Sequence, residues 1–567
     1  MSSESSAFAA LFVRALAEAG VEHAVASPGS RSTPLVLAFD AEPRITLHML
    51  TDERAAAFFA LGQAKRSARP SIVLSTSGSA GAHFYPAVLE AERALLPLIV
   101  LTADRPWELA NTHANQTLDQ RALFGSHVRA CLELGEPDAR ALPWVPHVAL
   151  SAVLHALRPT GGPVHVNARF RKPLEPGADD VGAPLALGIP RLHLPRPASP
   201  AVPEALHQAI ARARRGVVVA GPRLGAADRD RALGAAVARF VGESGFCLLA
   251  ETTSGIAYGP ECGELALPAF DLWLEAALDA GELPDFVLQL GAPPVSSAWE
   301  RCASRLAGIP RWHVAPAGLP DPTASASDFL LADPEALLAL LPGHGERDLE
   351  FAERWRSRAH RLERALDDVH GEPSIGRALL RSLPAGAVLL VGNSLPVRDL
   401  DWFAARSSVP VEVLHQRGLS GIEGFVAGAA GARSVLSPER PLYALIGDVA
   451  LRHDLGSLAL LSSVVGPLTL VVVNNGGGRI FDELPVARRI EEGRLARLFR
   501  TPEDVDLASF ARAVGVDYQR IESPEGLLEL EPAPMARARI VEVRVAGGEG
   551  AELRKRVRAL AHRAEAR

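Results

Sequence analysis

The chain has 567 residues, 48% of them hydrophobic and 22% charged, and a formal net charge of −7. That length supports about three or four ordinary domains with large buried cores. A net negative charge with no basic block excludes an electrostatic nucleic-acid surface, and no apolar run approaches the ~18 residues a membrane span needs.

The amino-terminal stretch MSSESSAFAALFVRALAEAGV carries acid early and reads as an amphipathic helix rather than a signal peptide, so a cytoplasmic protein is expected. Apolar strand candidates then alternate with helical patterns: Ala24–Ala26, Ile45–His48, Ser71–Leu74, Leu98–Leu101 and Val164–Val166. This alternation implies a parallel sheet covered on both faces, a first domain over 1–176. A proline-dense stretch without periodicity makes 177–203 a linker. A second α/β domain over 204–348 carries the runs Gly216–Gly221, Phe246–Ala250 and Phe286–Leu290. Its turn GPRLGAA is not a GxGxxG fingerprint, so no dinucleotide is assigned to it. A charged helix, Leu349 to Val369, leads into a third domain over 349–567 with strands Val388–Val391 and Ala538–Val543. The four cysteines, Cys131, Cys247, Cys262 and Cys302, form no CxxC pair, which indicates neither zinc nor a disulfide framework. His83, His113 and His453 lack metal spacing and read as satisfied polar residues.

The third domain is organised around Tyr443 to Phe481. An apolar run ends at Gly447-Asp448, a helical pattern follows with Leu455, Leu458, Ala459 and Leu461 on one buried face, and a second apolar run, Leu468 to Val473, ends at Asn474-Asn475. Strand, helix, strand in so few residues is a βαβ unit with parallel strands. Asp448 and Asn475, 27 positions apart, both then lie beyond the carboxyl ends of the sheet, where open α/β sheets bind ligands. A carboxylate, a carboxamide oxygen and a carbonyl from the Gly476-Gly477-Gly478 turn make an all-oxygen site suited to Mg²⁺, and these glycines allow backbone to approach a phosphate.

A Gly-Asp followed at this distance by Asn-Asn resembles the diphosphate-anchoring motif of thiamine-diphosphate enzymes, with Val449 where many members have Gly. The resemblance implies an α/β fold of three doubly wound parallel-sheet domains of the thiamine-diphosphate decarboxylase type: pyrimidine domain, middle domain, pyrophosphate domain. It implies that Glu53, in HMLTDERAAAFFALG, is the acid beside the aminopyrimidine, and that Ser77 and Gly78 lie in a cofactor-facing loop. Four further motifs, SPGSRSTPL from Ser27, LTADRPWELANTHANQTLDQ from Leu101, GNSLPVRDLD from Gly392 and RGLSGIEG from Arg417, are similar to one family. It is the 2-succinyl-5-enolpyruvyl-6-hydroxy-3-cyclohexene-1-carboxylate synthase (MenD) family of menaquinone biosynthesis. Membership implies decarboxylation of 2-oxoglutarate and conjugate addition of the succinyl carbanion to isochorismate. Thiamine diphosphate and Mg²⁺ (or Mn²⁺) would be the cofactors, in a homodimer or homotetramer with active sites at the subunit interface.

Both implied substrates carry two carboxylates, which arginine binds bidentately. The candidate clamps are Arg31, Arg105, Arg398 and Arg417, helped by Ser30, Gln116 and Ser394, with Ile422 the apolar prop beneath the cofactor. Where the family pattern has a middle-domain lysine after a QLG strand, this chain has Ser297, and Arg301 is the candidate substitute. The alternatives are an acetolactate-type synthase, a non-catalytic homologue and a nicotinamide-dependent dehydrogenase.

Overall fold

The structure, a computed structural model, describes residues 3–176, 188–194, 199–227, 230–343, 346–404, 406–502, 505–531 and 537–563. Much of the expected linker over 177–203 lies outside these residues. Three parallel sheets carry the chain. The first contains β1 (His23–Ala26), β2 (Thr46–Met49), β3 (Ser71–Ser75), β4 (Leu98–Asp104), β5 (Cys131–Gly135) and β6 (Pro163–Arg169), in the order β2-β1-β3-β4-β6-β5. The second contains β7 (Gly216–Ala220), β8 (Cys247–Ala250), β9 (Phe286–Leu290), β10 (Arg311–Ala315) and β11 (Asp328–Leu331), in the order β11-β10-β9-β7-β8. The third contains β12 (Val388–Val391), β13 (Glu412–His415), β14 (Leu442–Gly447), β15 (Leu468–Asn474), β16 (Asp517–Ile521) and β17 (Ala538–Arg544), in the order β13-β12-β14-β15-β17-β16. Numbered within each sheet, the first and third share one order, 2-1-3-4-6-5. Every strand pairing among the described residues is parallel, and the central strands are buried along nearly all their length, as expected of sheets with helices on both faces. The doubly wound α/β expectation is met.

The strands without a strong sequence signal are mostly edges. β11 alternates exposed and half-buried positions, β16 is mostly exposed, and β5 and β13 are short and partly polar. β10 is interior yet carries Arg311 and His313. Burial of these polar groups is tolerated because Arg311 pairs with Asp321 at 2.6 Å and His313 Nε2 lies 2.8 Å from the Gly291 carbonyl.

The chain forms two compact units. One comprises Met1–Arg196, Gly418–Leu436 and Asp454–Ser463, so the first sheet is joined by two segments from late in the sequence. Its centre is the crossing of helix Glu53–Ser67 with helix Phe425–Ser434. The backbones touch there: a Cβ on Gly62 would strike the Gly428 carbonyl, and one on Gly431 would strike the Phe59 carbonyl. Buried Glu90 accepts from the amides of Gly418 and Leu419 at 3.0 and 2.8 Å, tying the RGLSGIEG turn to helix Tyr85–Ala94. The other unit comprises Pro197–Arg417, Ser437–His453 and Val464–Arg567. In it Trp402 and Val557, from helices Leu395–Phe403 and Glu549–Arg563, join the core of the second sheet with Trp273 and Trp355, and helix Leu349–Asp367 packs Trp355 against Trp273.

The helix expected between β14 and β15 is two different elements. An α-helical turn, Asp448–His453, is followed by a 3₁₀ helix, Leu455–Ser463. The spacing of Leu455, Leu458 and Leu461 is three residues, the 3₁₀ period. Leu458 and Leu461 are buried, whereas Ala459 is exposed rather than part of the buried face. The break falls at Asp454, which is fully buried and accepts from the amides of Val426 and Ala427, capping helix Phe425–Ser434. A long-range cap outweighs continuation of the helix.

Candidate active site

In the first unit the motif residues converge at the carboxyl ends of the sheet. Arg31 follows β1 and is 5% exposed, its amide donating to Thr76 Oγ1 at 3.3 Å and its Nη1 to the Phe170 carbonyl at 2.6 Å. Its Nε is buried with no hydrogen-bond partner, leaving a donor for an incoming oxygen. Burial lowers the Arg31 pKa, and the neighbouring Arg105 charge lowers it further, with Asp104 opposing. Arg105 follows β4 and donates from Nη1 to Ser77 Oγ at 2.7 Å, and from Nε and Nη2 to the Asn115 carbonyl. The amide of Gly78, at φ +89°, donates to Gln120 Oε1 at 3.0 Å, and a Cβ there would press on Gln116 at 3.3 Å. Gln116 is exposed at φ +55°, and Ser30 is exposed. The structure therefore brings Arg31, Arg105, Ser77, Gly78 and Gln116 to one edge. Gln120, which the motif contained without being singled out, is the buried hub that fixes Gly78.

Glu53, in the same unit, is the first residue of helix Glu53–Ser67 and is half-buried. The cap is its neighbour Asp52, whose side chain accepts from the amides of Arg54 and Ala55. Ile422 is half-buried in the turn before helix Phe425–Ser434.

In the second unit the expected metal ligands are adjacent. Asp448 follows β14 and Asn475 follows β15. Asp448 Oδ2 accepts from the Gly477 amide at 2.7 Å and Oδ1 from the Val449 amide at 2.8 Å. Burial raises the Asp448 pKa, so a carboxylate here is short of compensating positive charge. Asn475 is 6% exposed. Its Nδ2 donates to Glu372 Oε1 at 2.6 Å, and its Oδ1 is buried with no partner. An orphaned buried acceptor costs on the order of 1–3 kcal/mol, a cost that a cation would remove. Gly477, at φ +123°, passes so close to the Arg500 carbonyl that a Cβ would collide. One carboxylate, one carboxamide oxygen and main-chain oxygens fit a hard divalent cation. No group of three His, Cys, Asp or Glu that could hold a metal occurs among the described residues. His83, His113 and His453 are exposed.

Ser394, Arg398 and Arg417 meet at the turn after β12. Ser394 adopts φ +72°, ψ −127°, a conformation that costs a non-glycine residue of order 1–3 kcal/mol and clusters at functional sites. Arg398 Nη1 donates to the Ser394 carbonyl at 2.7 Å, and Arg417 Nη1 to Asn393 Oδ1 at 3.0 Å. Arg398 also lines a cavity of about 250 Å³, together with Ser296, Ser297, Ile480, Leu484 and Arg558. Two carboxylates, buried Glu251 and half-buried Asp271, build the Ser296 turn: Glu251 accepts from the amides of Val295 and Ser296, and Asp271 from the amide of Ala298 and from Trp402 Nε1. Arg301 is not in this cavity. It sits on the exposed side of helix Ser297–Arg305, paired with Glu275, because its helix carries it away from the turn that Ser297 begins. Arg558, stacked on Trp402 at 4.5 Å and paired with Glu483, reaches the cavity instead.

The buried acids of this cavity make a pH prediction. Burial pushes Asp401 up to about 6 despite the Thr252 amide it accepts, and burial raises Glu251 well above the usual range. The unfolded Asp401 carboxyl ionises near ~4, so its stabilising contribution is complete below that and is lost as pH rises through about 6. Asp401→Asn keeps an acceptor for Thr252 and removes that loss. Its melting temperature should exceed that of the wild type at about pH 8 by more than at about pH 5, and a gap that does not widen with pH would refute the assignment.

Comparison with known proteins agrees with this geometry. The model described as "Thiamine pyrophosphate enzyme, N-terminal TPP binding domain" matches residues 7–123, and "Thiamine pyrophosphate enzyme, C-terminal TPP binding domain" matches residues 402–540. The chain is 44% identical to the 2-succinyl-5-enolpyruvyl-6-hydroxy-3-cyclohexene-1-carboxylate synthase of Sorangium cellulosum, over 91% of this chain and 88% of that one. Identity is 39% to the protein of that name from Myxococcus xanthus, covering 91% of each chain. It is 37% to the one from Geobacillus kaustophilus, covering 97% of this chain and 96% of that one. The glycine-bounded loops and strand-end arginines described above fall in the stretches that carried the family motifs. The chain belongs to the 2-succinyl-5-enolpyruvyl-6-hydroxy-3-cyclohexene-1-carboxylate synthase family of thiamine-diphosphate-dependent enzymes.

Proposed function

We propose that the chain decarboxylates 2-oxoglutarate and adds the resulting succinyl unit to isochorismate by conjugate addition, giving the product for which its relatives are named, within menaquinone biosynthesis. The observation that carries this reading is the set of arginines at the strand ends, Arg31 and Arg105 in one unit and Arg398 and Arg417 in the other. The buried, unpartnered Arg31 Nε is the clearest free donor among them. Substrates with two carboxylates each need such donors, positioned before binding.

In this reading Asp448, the Asn475 Oδ1 and the Gly477 carbonyl would hold Mg²⁺ (or Mn²⁺), the cation that would neutralise the cofactor diphosphate. Ser77, Gly78 and Ile422 would line the thiamine diphosphate site, and the Glu53 carboxylate would hold the proton that activates its aminopyrimidine. The bound cofactor supplies the electron sink that makes loss of CO₂ feasible. Arg31, Arg105, Arg398 and Arg417 neutralise the carboxylates with Ser30, Gln116 and Ser394, and Ile480 and Leu484 give the cavity an apolar wall. Residues 1–176 serve as pyrimidine domain, 204–348 as middle domain and 349–567 as pyrophosphate domain, in a cytoplasmic homodimer or homotetramer whose sites combine residues of two subunits. Among the described residues no helix is long and apolar enough to cross a membrane.

The test mixes purified protein with thiamine diphosphate, Mg²⁺, 2-oxoglutarate and isochorismate and follows isochorismate loss. Consumption that requires all the components is expected. Release of CO₂ from pyruvate in preference, with isochorismate untouched, would establish the acetolactate-type alternative.

A further inference from the structure

Asn475 reaches beyond its own loop. The carboxamide has one donor end and one acceptor end, and the two are interchangeable by a half-turn. A carboxylate accepts and cannot donate, so the 2.6 Å contact with Glu372 requires the nitrogen on the Glu372 side and turns Oδ1 the other way, into its buried and unpartnered position. Glu372 is itself 4% exposed and cannot swing aside. It opens the turn Glu372–Ser374, and Arg554 of the carboxyl-terminal helix Glu549–Arg563 lies 3.3 Å from its Oε1. That arginine is anchored in turn by Asp399, to which its Nε donates at 2.6 Å, and by Glu483 at 3.4 Å. The helix approaches so closely that a Cβ on Gly550 would collide with Glu372 Oε2. Just before the helix, a Cβ on Gly547 would lie 2.9 Å from the Asn475 carbonyl.

We propose that Glu372 is a positioning residue for the metal site: it locks the Asn475 carboxamide with its oxygen toward the cation, and Arg554 locks Glu372, so that the carboxyl-terminal helix sets metal affinity. This rests on the metal-binding reading above. Partners behind metal ligands of this kind are worth about 10–100-fold in metal affinity.

The experiment titrates Mn²⁺ into the full chain with thiamine diphosphate present and reads free Mn²⁺ by electron paramagnetic resonance. Glu372→Ala should raise the half-saturating Mn²⁺ concentration by about 10-fold or more, and Glu372→Gln, which keeps an acceptor but can present either end, by less. Melting temperatures taken without metal or cofactor separate this from general destabilisation. A lowered melting temperature with unchanged Mn²⁺ affinity assigns Glu372 a structural role only and overturns the inference.

If Glu372→Ala does not fold, the reversed pair decides. Asn475→Asp alone sets two carboxylates against each other, and adding Glu372→Gln restores an N–H···O link with its polarity reversed. The double variant should bind Mn²⁺ more tightly than Asn475→Asp alone, and no recovery overturns the inference. A wild-type chain that takes up no Mn²⁺ overturns the metal site itself and this inference with it. A wild type that binds Mn²⁺ with the same affinity as Glu372→Ala overturns the inference alone.

Discussion

Glu53→Gln should lower cofactor-dependent CO₂ release from 2-oxoglutarate by about 10²–10⁴-fold, the usual worth of a positioned acid–base group. The substitution is nearly isosteric, and the helix it begins does not need its charge. The capping bonds from Arg54 and Ala55 go to Asp52, so removing the charge at residue 53 costs only the dipole term of about 0.3–1 kcal/mol. The melting temperature should therefore barely move, and calorimetry should still show uptake of thiamine diphosphate with Mg²⁺. Loss of turnover with fold and cofactor uptake intact is the pattern of a chemical role. Unchanged turnover would mean that the acid beside the aminopyrimidine is another residue.

Asp448→Asn should eliminate metal-dependent cofactor retention, for two additive reasons. The cation loses its one charged side-chain ligand in the expected set. The side chain also loses one of two acceptor oxygens, each of which now takes a buried backbone amide, from Gly477 and from Val449. One of those amides would be left unpaired at about 1–3 kcal/mol, so the Gly477 turn should loosen as well. Isothermal titration with thiamine diphosphate, with and without Mg²⁺, measures the first effect, and hydrogen exchange at residues 476–478 measures the second. Mixing the Asp448→Asn chain with the Glu53→Gln chain then tests the proposal that the site is shared between subunits. Each should be nearly inactive alone, and in a mixed oligomer one site would receive Glu53 from one subunit and Asp448 from the other. Recovery of CO₂ release on subunit exchange is expected, and none after exchange is verified would place both groups in a single chain's site.

The structure also corrects the sequence at specific places. The helix after Asp448 ends at His453 because Asp454 caps a helix begun at Phe425, and no local pattern announces a partner that far away. β5, β11, β13 and β16 escaped because edge strands carry little hydrophobic signal, and β10 because its Arg311 and His313 are satisfied by residues from elsewhere. By spacing alone Arg301 is a replacement for the expected lysine, but a helix turn and a bond to Glu275 carry it outside the cavity. Arg558, from near the end of the chain, occupies the cavity instead.

What the sequence determined by itself is whatever is encoded within a few residues. Strand-ending glycines, the Asp448 and Asn475 pair, the SPGSRSTPL and TADRP loops and the alternation of apolar strands with helices each state a local geometry and its chemistry. Tertiary structure alone decided which distant groups complete those loops: Glu372 behind Asn475, Asp454 beneath helix Phe425–Ser434, and Glu90 under the turn at Gly418. The reason is physical. A buried polar group must find a partner wherever the fold supplies one, and across 103 positions, as between Glu372 and Asn475, no periodicity links donor to acceptor.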